Sequence, residues 1–142
     1  MAVTVSFFNK FIEHVGKANI NLLSDTFKIK LVNNYTFDAT DENLADIGSV
    51  EISNGNGYTT GGASLSNITW AFNTSYTKWD ADDVTWTASG GTIGVADGAI
   101  LYDDTASGDK LVCYIDFGQD ESAGDGTDFK ITFNSNGIFR IS

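Results

Sequence analysis

The hydrophobic pattern of this chain changes period once. Phe8, Phe11, Ile12 and Val15 recur at the i, i+3, i+4, i+7 spacing of one helix face. Residues 1–18 are therefore expected to form an amphipathic helix or arm, with Ser6 as its cap and Gly16 at or near its end. After Asp25 the period drops to two. In "TFKIKLV" (26–32), Phe27, Ile29 and Leu31 point one way, and Lys28 and Lys30 the other, as in a half-buried strand. Segments of the same kind follow at 49–53, 64–72, 83–89, 98–103, 110–117, 127–133 and 137–142. The last two read as a hairpin: Phe129, Ile131 and Phe133 alternate with polar residues, "NSNG" (134–137) turns the chain, and Phe139 and Ile141 resume the apolar face.

Short strands separated by turn residues, after a single helix, predict a mainly β protein. The expected architecture is an antiparallel β-sandwich or jelly-roll-like single domain, 1–142, with the helix at 1–18 and the sandwich over 25–142. Composition sharpens this picture. Fifteen glycines and no proline suit the turns of a compact β protein rather than a linker. A formal charge of −11 disfavours nucleic acid and anionic membrane as partners, because a phosphate-binding face needs clustered cations. The longest apolar run, Leu111–Ile115, is too short to span a bilayer, and no signal peptide is read at the N-terminus. Cys113, alone of its kind and set inside "LVCYI", reads as a buried, inert thiol.

The glycine-rich stretch "SNGNGYTTGGASL" (53–65) raises the question of a phosphate loop. It fails the dinucleotide pattern, since Thr60 stands at the third glycine position and "ASLSNITW" continues as a strand instead of a helix. It is expected instead to bend the chain between strands, anchored by Tyr58. His14, the one histidine, is expected to face solvent, so no nucleophile–base pair with Cys113 is read. "DDTASGD" (103–109) sets Asp103, Thr105 and Ser107 ahead of Gly108, but Tyr114 stands where a calcium loop needs glutamate, so these acids read as turn formers. Trp70 and Trp86 fall in strand contexts and are expected in the core. Trp79, in "YTKWDADD", is expected at a surface, where it would carry a rival carbohydrate-binding reading. No catalytic, metal or cofactor-binding residue is assigned, and a non-enzymatic role follows.

Four blocks in a fixed order carry a resemblance. They are "FNKFIEHVGKANINLLSDTFKIKLVNN", "NLADIGSVEISNGNGYTTGGASL", "DDVTWTASGGTIGVADGAILYDDTASGDKLVCYIDFG" and "GTDFKITFNSNGIFRIS". Together they cover nearly the whole chain, and it resembles small virion structural proteins of tailed bacteriophages, close to head decoration (cement) proteins. The resemblance implies a cofactor-free homotrimer bound to the major capsid protein on the outside of the head. It places the protein in the virion after synthesis in the host cytoplasm, with tail or fibre placement as the alternative. The segment Met1 to Val15 is expected to supply capsid or inter-subunit contacts through Phe7, Phe8, Phe11 and Ile12, because it holds more apolar residues than one helix stripe needs.

Overall fold

The computed structural model describes residues 3–142. It begins with a strand, β1 (Thr4–Phe7), and only then a helix, α1 (Phe11–Gly16). Nine further strands follow: β2 (Phe27–Val32), β3 (Ala63–Ser64), β4 (Thr69–Asn73), β5 (Tyr76–Asp80), β6 (Val84–Thr87), β7 (Ile93–Asp103), β8 (Lys110–Ala123), β9 (Asp128–Ile131) and β10 (Phe139–Ile141). All pairings are antiparallel. One five-stranded sheet runs β1-β8-β7-β2-β3, and two small sheets, β10-β5-β4 and β6-β9, pack against it. The protein is thus mainly β, with antiparallel sheets packed together and one short N-terminal helix in a single compact domain.

The large sheet is buried on both faces, and that explains why its central strands read as nearly continuous apolar runs. Ile29, Leu31, Ala99, Leu101, Cys113 and Ile115 meet Trp79, Trp86, Phe129 and Ile131 of the small sheets. On the opposite face Ile100, Tyr102, Leu111 and Tyr114 lie under the segment from Tyr35 to Val50 and under Phe8. Cys113 is fully buried, as expected, and burial pushes its thiol up to about 12.

Four expectations are corrected. First, the helix does not span the opening segment. The alternation Val3-Thr4-Val5-Ser6-Phe7 forms a strand that pairs with Cys113–Asp116 of β8, and helix remains only from Phe11 to Gly16. A helix that short is not stable on its own. Glu42 holds it in place, with the Lys10 Nζ at 3.2 Å, the His14 Nε2 at 2.9 Å and the Lys110 Nζ of β8 at 3.4 Å from its carboxylate oxygens. Second, His14 does not face solvent; it is only 8% exposed, with Nδ1 3.4 Å from the Asn19 side-chain oxygen.

Third, β9 and β10 do not form a hairpin. The 134–137 turn exists, with the Gly137 N–H bonded to the Asn134 carbonyl at 2.8 Å. Its two arms join different sheets, β9 pairing with β6 and β10 with β5. Alternation fixes which face of a strand is apolar but says nothing of its neighbour. Fourth, Trp79 is not at the surface. It belongs to β5, a strand the polar residues of "YTKWD" conceal, and its 0% exposed indole donates to the Leu22 carbonyl at 2.9 Å. Segment 49–53 contributes only an isolated bridge, Val32 to Glu51, and 64–72 divides between β3 and β4.

Candidate functional site

The glycine-rich stretch binds this protein to itself. Tyr58 is buried and its hydroxyl accepts from the Leu31 N–H at 3.0 Å while donating to Glu51 Oε1 at 2.8 Å. The same carboxylate accepts from the Gly61 N–H at 2.6 Å and pairs through Oε2 with the Lys30 ammonium at 3.0 Å. Burial, followed by the Glu51 carboxylate beside it, pushes the Tyr58 hydroxyl well above its ordinary range. The loop can lie this close only because Gly62 lacks a Cβ: with φ at +82°, a methyl there would overlap the Ile29 carbonyl. These groups are engaged within the fold, and the stretch leads into β3 and not into a helix N-terminus. The expectation of a strand-to-strand bend anchored by Tyr58 describes it well.

The acids of "DDTASGD" also serve the fold. Asp103 is fully buried, and its Oδ1 accepts from the Thr105 and Ala106 N–H groups at 2.8 and 3.1 Å. Burial, then the nearby Asp25 carboxyl, pushes Asp103 up to about 7, while the two N–H donors oppose the shift. Asp104 pairs with Lys28 at 3.2 Å.

Of the four expected contact residues, two are held in the interior and a third, Phe7, is half-buried. Phe8 and Phe11 are buried on opposite sides of the large sheet, and Phe7 stacks on Phe11 with ring centroids 5.8 Å apart. Phe139 closes this group against Phe7, Phe11, Trp70 and Trp79. Ile12 alone presents its side chain outward, 53% exposed. The surplus of aromatics in the opening segment thus feeds two core faces, Phe7 and Phe11 one of them and Phe8, between β1 and α1, the other. Met1 and Ala2 lie outside the described residues.

The surface feature that stands out is a groove of about 820 Å³ along the outer margin of the large sheet. One wall is β1 and β8. Val5 sits opposite Ile115 in the ladder, so Val3, Val5, Ile115 and Phe117 share one face. The other wall is β9 with the chain beyond it, notably Ile131, Phe133 and Ile138. The small sheets leave this margin uncovered, and Val3 and Val5 are 59% and 45% exposed. Toward the far end of β8 the lining turns polar at Gln119 and Glu121, facing Asp128. Among the described residues neither Glu121 nor Asp128 pairs with a cation: Glu121 accepts from the Gln119 side chain, Asp128 Oδ1 accepts from the Thr87 hydroxyl at 2.7 Å, and Lys130, which also lines the groove, lies 3.7 Å from Asp83.

The strand edge beside the groove is open. Phe8 N–H bonds the Val112 carbonyl at 3.2 Å, which sets the phase of the β1–β8 ladder. By the alternation of antiparallel pairing, Thr4 and Ser6 face β8, while the N–H and C=O of Val5 and Phe7 point away from it. Among the described residues no other strand takes those groups. Sequence reasoning missed this margin, although its signal was present in the β-branched alternation of residues 3–7.

Comparison with protein-family models, with curated proteins and with solved structures gives no match.

Proposed function

We propose that this chain is a non-enzymatic structural protein of a tailed-phage virion, bound to the outside of the head as a homotrimer that stabilises junctions between capsomers. The observation that carries the reading is the resemblance in block order, which extends over nearly the whole sequence. Two structural features support it. Tyr58, the Gly61 N–H and Asp103 Oδ1 are engaged within the fold, consistent with a role that depends on shape. An open strand edge beside an uncovered apolar groove is a surface that a soluble protein ordinarily protects or fills with a partner. The rival carbohydrate reading needed an exposed Trp79, and that side chain is in the core.

The test is co-sedimentation of the purified protein with capsids that lack it. Binding that saturates at a fixed ratio to the major capsid protein is the expected result. Capsids that pellet without the protein at every concentration would contradict the reading.

A further inference from the structure

We propose that the groove between β1, β8 and β9 takes an extended segment of another protein, one that combines alternating apolar residues with a Lys or Arg, as a strand added beside β1. On the reading above this segment belongs to the major capsid protein, and to that extent the inference rests on that reading.

Three observations converge on an extended occupant of this chemistry. First, β1 is an edge strand with its outward N–H and C=O groups at Val5 and Phe7 free, so it can accept a ladder from a partner. It also lacks the devices that normally protect edges: residues 3–8 contain no charge and no proline. The opposite edge of the sheet, β3, is two residues long and offers no comparable template. Second, the groove floor alternates in the manner a strand requires. Val5 and Ile115 form one apolar step and Phe117 continues it; beyond the positive-φ Gly118 the ladder with β7 shifts register, and Gln119 and Glu121 line the far end of the groove. An added strand would place every second side chain against that face.

Third, charge selects the partner. Among the described residues Glu121 and Asp128 form no ion pair at the far end of the groove, and Lys130, which also lines it, lies 3.7 Å from Asp83. The exposed Asp116 and Asp120 add to the negative field. A second copy of this chain would bring another −11 to the same place, with an equally uncharged β1 that neutralises nothing. A segment with two apolar residues at alternate positions and a basic residue a few positions further along satisfies both ends. The ladder would supply affinity, the apolar steps register, and the basic residue direction.

The experiment is a titration of the full ¹⁵N-labelled chain with a short capped peptide that alternates valine with threonine and ends in lysine. Its control has glutamate in place of lysine. The expected result is shift changes confined to β1, to residues 115–121 of β8 and to β9, with slowed amide exchange at Val5 and Phe7. Val5→Pro removes only an outward N–H, a change edge strands tolerate, and should weaken binding about tenfold. Glu121→Lys, at a partly exposed position, should weaken it about fivefold without touching the core.

Shifts elsewhere or none, unchanged exchange at Val5 and Phe7, or equal binding of the glutamate peptide would each overturn the proposal. Concentration-dependent self-association abolished by Val5→Pro would also overturn it, in favour of a second copy. The peptide titration needs no capsid, so its failure is separate from that of the virion reading. Capsids that bind wild type and Val5→Pro alike would sink the groove and leave the virion reading standing.

Discussion

Glu51 shows how this sequence converts a polar residue into structure. Its carboxylate gathers the Lys30 ammonium, the Tyr58 hydroxyl and the Gly61 N–H beneath the glycine-rich loop, where the Lys30 side chain is only 10% exposed. Glu51→Leu should therefore cost about 3 kcal/mol, because it strands a nearly buried ammonium. Adding Lys30→Met should recover much of that loss, and denaturant unfolding of the two single variants and the double variant measures both. Asp103 gives a second residue-scale test. Its folded-state carboxyl is raised from 3.8 to about 7, so between those values the folded protein holds a proton that the unfolded chain has released. Stability contributed by this group is thus full below about 4 and declines as pH rises toward 7. Asp103→Asn removes the decline while keeping an oxygen for the Thr105 and Ala106 N–H groups. Relative to wild type, the variant should gain stability from pH 4 to pH 8, read from denaturant midpoints. A constant difference across that range would contradict the assignment.

Among the elements, strands β2 and β6 to β9 were legible from alternation, because each has an apolar face that must be buried. Which strand pairs with which was not, and the 134–137 turn misled because a turn specifies a reversal of direction and not a shared sheet. β5 was hidden because Lys78, Asp80 and Thr77 surround its one core residue, Trp79. The opening segment carries both periods at once: Phe8, Phe11, Ile12 and Val15 fit a helix, and Val3, Val5 and Phe7 fit a strand. Pairing with β8 over four residues decided between them. Of the candidate site, the acidic end of the groove was visible as residues but not as a site, since Glu121 and Asp128 meet only in the fold.

This changes what a truncation tests. Deleting residues 1–12 removes β1, Phe8 and Phe11 together, and should unfold or severely destabilise the protein rather than simply release a contact. Ile12→Asp is the cleaner probe. Its side chain is outside the core, so stability should stay within about 0.5 kcal/mol of wild type, while capsid co-sedimentation reports directly on contact through this helix.

At the scale of the whole molecule, a net charge of −11 on a compact β fold keeps the free protein dispersed and biases it toward basic partner surfaces. A protein bound at many equivalent sites on a shell can hold each one weakly, because neighbouring contacts act together. The account stands or falls on whether the chain is part of a virion in large number. The direct measurement is peptide counting by mass spectrometry on purified virions of the phage proposed as its source. The account predicts a copy number comparable with that of the major capsid protein. A handful of copies per particle would contradict head decoration and place the protein in the tail, and complete absence would contradict a structural role in the virion altogether.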